Sequence, residues 1–168
     1  MQDIVIVEAC RTAVGDFGGG LKDTAPCELG ALVVRSVLER AGVAAAEVGH
    51  VVFGHVINTE PRDMYLSRVA ALNAGIPEAV PAFNVNRLCG SGLQAIVSAA
   101  QVLMLGDAEI AIGAGAESMS RAPYLAIGQR WGSCCRWSSS EWRSARSCWA
   151  ELPIESDVVP RSSCVSAS

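Results

Sequence analysis

Apolar side chains in the first part of the chain form short runs, separated by longer segments with helical spacing. Four runs predict strands, at residues 3–9, 48–56, 82–86 and 108–115, because β-branched or small apolar residues dominate them. The first run is continuously apolar from Ile4 to Val7, which is typical of a strand buried on both faces.

Three segments between these strands show the spacing of helices. From Pro26 to Gly42, leucines and valines recur at helical intervals, and proline and glycine mark the two ends. Further helices are predicted over 64–74 and 92–105, and the last is apolar on nearly every face, so we expect it to be buried on all sides. Strands that alternate with helices predict an α/β fold with a largely parallel sheet.

Residues 131–168 differ from those before them in composition and pattern. All four tryptophans (131, 137, 142 and 149) lie in this segment, together with four of the seven cysteines. The segment is rich in Ser, Cys and Trp and has neither a helical nor a strand period. We therefore predict one domain over 1–130 and an aberrant, irregular tail over 131–168. The tail is interpreted as an out-of-frame reading or, alternatively, as a Ser-rich disordered segment.

Composition and charge exclude several classes of protein. Hydrophobic residues make up 51% of the 168-residue chain and charged residues 18%, which is typical of a globular protein. The 13 basic residues are scattered and the net charge is −4, so neither a nucleic-acid partner nor a membrane partner is expected. No apolar run is judged long enough to span a bilayer, which takes about 18 residues.

The cysteines favour a cytoplasmic protein without a disulfide scaffold. Their number is odd, and an acidic residue stands near the N-terminus, where a signal peptide carries positive charge. No Cys-x-x-Cys pair occurs, and the two histidines are distant from the cysteine-rich segment, so no metal site is predicted. Cys10 and Cys27 have no glycine-rich surroundings and are predicted to be small core residues.

The candidate chemistry lies in residues 86–92, between the third predicted strand and the third predicted helix. Cys89 is expected at the N-terminus of that helix, where the helix dipole and free N–H groups favour the nucleophilic thiolate. Leu88, Gly90 and Gly92 are the predicted substrate-approach residues, because the glycines leave room beside the sulfur. The Cys89 N–H is a candidate donor of an oxyanion hole. Taken alone, the same sequence also fits a tightly packed, inert cysteine.

The nucleophile motif of thiolases is similar to residues 85–95, VNRLCGSGLQA. Three other segments also resemble this family: residues 8–19, 58–65, which look most like bacterial β-ketothiolases, and 113–123. The likeness covers residues 1 to 126. It implies the N-terminal half of a thiolase-like layered fold, with a mixed, mostly parallel sheet flanked by helices.

The resemblance also implies an activity. Thiolases are acyl-CoA acyltransferases, named acetyl-CoA acetyltransferases or 3-ketoacyl-CoA thiolases, and the cysteine that matches Cys89 forms an acyl-cysteine intermediate. Coenzyme A is then a substrate and no cofactor is required. The family forms homo-oligomers, either dimers or tetramers, so a homo-oligomer is expected for the full-length protein.

The chain departs from the family because several later family segments have no counterpart. These include a Gly-His-Pro histidine and a second cysteine in Cys-x-Gly-Gly-Gly, which supply acid–base groups. His50 and His55 match neither segment and are interpreted as ordinary polar positions near the second strand. We therefore expect a truncated fragment that keeps the acylatable cysteine but turns over poorly.

Three alternatives remain open. The first is a non-catalytic, thiolase-like protein that binds CoA or lipid, which the missing acid–base groups favour and the retained Cys89 opposes. The second is a β-ketoacyl synthase, although Asn86-Arg87-Leu88-Cys89 argues against it. The third is a thiol redox protein, for which no resolving cysteine is evident.

Overall fold

A computed structural model describes residues 3–124 of the chain. The predicted boundary at residue 130 and the predicted tail over 131–168 lie outside this range. The helices and strands that position the site follow in chain order: α1 (Pro26–Ala41), β1 (His50–Gly54), α2 (Leu66–Asn73), β2 (Ala82–Val85), α3 (Ser91–Leu105) and β3 (Ala111–Gly115). Short 3-10 helices occupy Ala45–Glu47, Pro61–Tyr65 and Met119–Arg121.

The three strands form a parallel sheet in the order β2-β1-β3. In the central strand, Gly54 is aligned with Val85 of β2 and with Gly115 of β3. Because the strands are parallel, their carboxyl ends meet at one edge of the sheet. The prediction of an α/β fold with a sheet flanked by helices is confirmed, and the strands described here all run in the same direction.

Helices cover both faces of the sheet. Val51 and Phe53 of β1 point to the larger core cluster, which also contains Val34 of α1 and Leu66 of α2. Val52, between them in sequence, points to the opposite face and packs with alanines of α3. Alternate residues of a strand face opposite sides, so a continuous apolar run is required for a strand that is buried twice.

The ends of α1 agree with the helix predicted from Pro26 to Gly42. Pro26 stands in its first turn, where the missing N–H costs nothing, and Gly42 ends it with a φ of 66°. The buried positions of α1 combine one valine and one leucine with smaller residues: Pro26, Cys27, Gly30, Ala31, Val34 and Leu38. Gly30 is one of them, since a Cβ there would lie 2.8 Å from the Phe53 ring.

The prediction of a strand over residues 3–9 is wrong. These residues form no strand, and Val5, Ile6 and Val7 are 74%, 76% and 73% exposed. β-branched residues favour an extended backbone, but a strand also needs a neighbour that pairs with its N–H and C=O groups. Residues 3–17 instead line a cavity of about 1300 Å³, together with residues of α1, α3 and β3.

The prediction that the third helix is buried on every side is also wrong. In α3 the buried residues are Ser91, Ala95 and Ala99, whereas Leu93 and Leu105 are 70% and 76% exposed. The main contacts of α3 within residues 3–124 are with the three strands, so only one face of the helix is covered.

One segment, Leu88–Leu105, is long and apolar enough by composition to span a membrane, contrary to the sequence expectation. Only the last 15 of its residues form α3. At about 1.5 Å per residue this helix is shorter than the roughly 30 Å of a bilayer's hydrocarbon core. Its buried alanines also pack against β1, so its apolar character has a structural explanation within the sheet.

Candidate active site

The carboxyl edge of the sheet collects the residues of the candidate site. His55 directly follows β1, the Cys89 turn follows β2, and Glu117 comes two residues after β3. In parallel α/β sheets this edge is the usual position of ligand and active sites.

Cys89 is exposed to solvent, two residues before the first residue of α3. Gly90 is the N-cap of that helix, and no side chain caps it. The first N–H groups of an uncapped helix carry the positive end of its dipole, which favours an anion beside them. The other two cysteines within residues 3–124 differ, because Cys27 is buried and Cys10 is half-buried with its thiol 3.4 Å from the Val33 carbonyl oxygen.

Leu88 has an unusual backbone conformation. Its φ of 50° makes it the one non-glycine residue with positive φ in the described part of the chain. The Leu88 N–H donates to Asn86 Oδ1 at 3.0 Å, and its side chain is 71% exposed. The predicted substrate-approach residue Leu88 thus lies on the surface, next to the sulfur.

Ser91 ties this turn together. Its Oγ accepts a hydrogen bond from the Arg87 N–H at 2.8 Å and donates one to the Leu88 carbonyl at 2.7 Å. The Arg87 guanidinium in turn donates to Gln94 Oε1 at 2.6 Å, one turn along α3. Sequence reasoning named the glycines of this motif and missed the serine between them.

The glycines near Cys89 fall into two classes. A Cβ at Gly92 would meet nothing within 4 Å, and one at Gly90 would meet only the Arg87 carbonyl oxygen at 3.4 Å. Neither residue has a positive φ. At Gly54, in contrast, a Cβ would overlap the Ser91 carbonyl carbon and lie 2.5 Å from the Gly92 nitrogen. Packing therefore requires glycine at 54 but not at 90 or 92.

His55 and Glu117 join the ends of β1 and β3. His55 is buried, and its Nδ1 lies 2.7 Å from the Ala116 carbonyl oxygen, so this nitrogen carries the proton and donates. Glu117 accepts the N–H groups of Val56 and Ile57, each at 3.0 Å. His55 Nε2 is buried without a hydrogen-bond partner in the described part of the chain.

The sequence could have indicated this pair, since His55 lies near the end of one predicted strand, Glu117 follows another, and parallel strands end at a common edge. His50 begins β1 and places its ring edge-to-face with Phe83, with ring centroids 5.5 Å apart. Both histidines therefore lie at or beside the second predicted strand, as expected.

Cys27, Glu60 and Asp63 form the one group of possible metal ligands found in residues 3–124, with ligand atoms within 4.8 Å of one another. Glu60 Oε1 accepts two hydrogen bonds from Arg62, at 3.0 and 2.7 Å, and Asp63 Oδ2 accepts three from Thr59 and Glu60. Burial raises the pKa of the Cys27 thiol, and Arg62 opposes this shift. These contacts describe a hydrogen-bonded network that begins a 3-10 helix, and the absence of a metal site stays a prediction.

Comparison with known families agrees with the motifs. The sequence model of the thiolase N-terminal domain matches residues 4–138, which is most of the chain. The chain belongs to the thiolase family. The match continues beyond residue 126, where the resemblance of individual motifs ends.

Individual thiolases are similar over the same region. The chain is 68% identical over 131 residues to the beta-ketothiolase BktB of Cupriavidus necator, covering 78% of this chain and 33% of that protein. It is 48% identical over 130 residues to an acetyl-CoA acetyltransferase of the same organism, covering 77% and 33%. The crystal structure of the Bacillus anthracis acetyl-CoA acetyltransferase matches with a TM-score of 0.71 at 38% identity, covering 83% of this chain and 36% of that one. The chain thus spans about a third of the length of these thiolases.

Proposed function

We propose that this thiolase-family chain takes part in acyl transfer from acyl-CoA, with Cys89 as the residue that accepts the acyl group. The observation that carries the proposal is the placement of an exposed cysteine at the uncapped N-terminus of a 15-residue helix, on the carboxyl edge of a parallel sheet. The names of the similar proteins support the reaction class, since they are a beta-ketothiolase and acetyl-CoA acetyltransferases.

The first step forms a thioester. The Cys89 thiolate attacks the carbonyl carbon of the acyl-CoA, a new S–C bond forms, and the bond to the CoA sulfur breaks. CoA leaves as a thiolate and takes a proton from solvent. Covalent catalysis of this kind divides one difficult transfer into two easier steps.

Open space at Gly90 and Gly92, one and three residues after Cys89, supports a bulky substrate. Gly90 and Gly92 leave space that neither packing nor backbone conformation demands. Glycine in a helix costs about 1 kcal/mol relative to alanine, so Gly92, which lies inside α3, is kept at a cost to stability. Access for the acyl thioester explains why that cost is tolerated.

Oxyanion stabilisation is assigned to the backbone of the same turn. Negative charge develops on the acyl oxygen during attack, and N–H groups at a helix N-terminus are suited to bind it. The Cys89 N–H is the proposed donor. Acyl-CoA is the proposed partner, no cofactor is needed for these steps, and a cytoplasmic homo-oligomer is the proposed setting.

The test is direct acylation of the 168-residue chain. The purified protein is incubated with acetyl-CoA, digested, and analysed by mass spectrometry for a hydroxylamine-sensitive acetyl group. We expect the label on the peptide that contains Cys89, its loss in Cys89→Ala, and its retention in the matched control Cys10→Ala. Undiminished labelling of Cys89→Ala would contradict the proposal. Binding of CoA to the wild type without acylation would favour the non-catalytic alternative.

A further inference from the structure

We infer that the Ser91 hydroxyl is the positioning group of the nucleophile turn, because it holds Leu88 in the conformation that presents the Cys89 sulfur. The inference rests on the proposed function of Cys89 and adds to it a residue that acts through the backbone. Ser91 has no direct contact with the substrate in this role.

The conformation of Leu88 needs support from its neighbours. At a φ of 50° the Cβ of an L-residue crowds the following carbonyl group, and glycine or asparagine is usual there. A leucine persists in this region only when surrounding contacts determine it, and such residues cluster at functional sites. The affected residue is the immediate neighbour of Cys89.

One hydroxyl supplies two of the supporting hydrogen bonds. Ser91 Oγ accepts from the Arg87 N–H at 2.8 Å and donates to the Leu88 carbonyl at 2.7 Å. These two backbone groups bracket residues 87 and 88, so the hydroxyl restrains both residues, together with the Ser91 N–H, which donates to the same Leu88 carbonyl at 3.0 Å. Asn86 Oδ1 holds the remaining Leu88 N–H from the other side.

The position of the hydroxyl is itself fixed by the sheet. Ser91 is only 4% exposed, and its backbone packs so closely on Gly54 that no Cβ would fit between them. Gly54 is the last residue of β1, the central strand. The strand therefore fixes the position of Ser91, Ser91 restrains the backbone of Leu88, and Leu88 sets the position of the neighbouring Cys89 sulfur.

An ordinary helix-capping role does not account for these bonds. The N-cap of α3 is Gly90, and no side chain caps the helix. Ser91 is the first helical residue, and both partners of its hydroxyl lie in the preceding turn. The hydroxyl is thus used to shape the turn, not to begin the helix.

Removing the hydroxyl tests the inference. In Ser91→Ala, we expect the rate of acetyl transfer from acetyl-CoA to Cys89 to fall by about tenfold or more, since misplacement by about 1 Å can cost roughly a hundredfold. Alkylation of Cys10 by iodoacetamide, measured in the same samples, should be unchanged. The matched control Ser36→Ala, on α1, should react at the wild-type rate.

A second variant separates positioning from general loss of structure. Asparagine adopts the left-handed region more readily than leucine, so Leu88→Asn reduces the need for the hydrogen bonds of the Ser91 hydroxyl, which we call the Ser91 lock. In that background, Ser91→Ala should slow acylation by no more than about threefold, which makes the two substitutions non-additive. An equal loss in both backgrounds would overturn the inference.

The inference and the proposed function fail in different ways. If wild-type protein is not acylated, the acyl role of Cys89 is withdrawn, and the lock is then judged from iodoacetamide alkylation of Cys89 and hydrogen exchange of the Arg87 N–H. Altered alkylation with faster exchange in Ser91→Ala would support the lock. Unchanged alkylation and exchange would refute it.

Discussion

Replacing Gly92 by alanine should stabilise the fold and, at the same time, slow acyl transfer to Cys89. The residue lies in the first turn of α3, its φ is not positive, and an added Cβ would meet nothing within 4 Å. Alanine is favoured over glycine in a helix by about 0.5–1 kcal/mol. We therefore expect an unchanged or higher midpoint of thermal unfolding.

Acyl transfer should fall in the same variant, because the open space at Gly92 is proposed to admit the acyl thioester and the methyl group takes up part of it. Forcing a methyl group into a filled site costs about 1–3 kcal/mol. Applied to the transition state, this cost corresponds to a rate reduction of roughly 5-fold to 150-fold.

The assay compares two reagents of different size. The rate of acetyl transfer from acetyl-CoA to Cys89 should fall by the factor above, whereas alkylation by the small reagent iodoacetamide should change by less than about threefold. Gly20→Ala is the matched control, since a Cβ at Gly20 also meets nothing within 4 Å and the residue lies in a different loop. If Gly92→Ala transfers acetyl groups as fast as wild type, the clearance has no role in substrate approach and the reasoning is refuted.

Two further substitutions test packing and charge. Gly54→Ala should destabilise the fold by about 1–3 kcal/mol in urea unfolding, because the new Cβ overlaps the Ser91 backbone, and a stability equal to wild type would contradict this. Burial raises the pKa of Cys27, so the folded state holds this proton more tightly than the unfolded state. The resulting stabilisation is complete below about pH 9 and is lost as the pH rises through the folded pKa. Cys27→Ala should therefore weaken the decrease in unfolding free energy above that pH, and an identical decrease in both proteins would count against the assignment.

Local sequence signals predicted the elements whose ends and burial are determined by residues within the element itself. Pro26 and Gly42 bound α1 because one residue needs no N–H and the other accepts a positive φ. β1 lies inside its predicted range, since a continuous apolar run suits a strand whose two faces are covered. β2 also lies inside its predicted range, although Phe83 is exposed. The cysteine turn was placed correctly because glycines and a change of period mark the transition from strand to helix.

The errors concern contacts that depend on distant parts of the chain. Residues 3–9 have the composition of a strand, but composition cannot provide the backbone groups with which a strand pairs. Leu93 and Leu105 have the character of buried residues, yet α3 is covered on one face only within residues 3–124. In both cases the sequence predicted what the segment favours, a strand or a buried helix. It could not predict whether a neighbouring element is present to pair with the strand or to cover the helix.

The site was predicted in part for the same reason. Cys89 and its glycines form a local motif, whereas the contact of His55 with Ala116 joins residues 61 positions apart in sequence. Only the parallel order of the strands brings them to one edge. Ser91 is local but was missed, because its role depends on the direction of two hydrogen bonds that residue type alone does not specify.

The geometry around Cys89 is encoded almost entirely within a short stretch of sequence. The side-chain and backbone hydrogen bonds that shape the turn connect residues 86–91 with one another. Outside this stretch, Gln94 of α3 accepts from the Arg87 guanidinium, and Gly54 of the neighbouring strand packs behind Ser91. A nucleophile whose presentation depends on so few residues needs only the sheet and α3 to be folded. It follows that presentation of the sulfur and completion of the reaction are separable properties: substitutions within 86–92 should alter how Cys89 reacts, whereas acid–base groups from elsewhere should alter what happens to the acyl group afterwards.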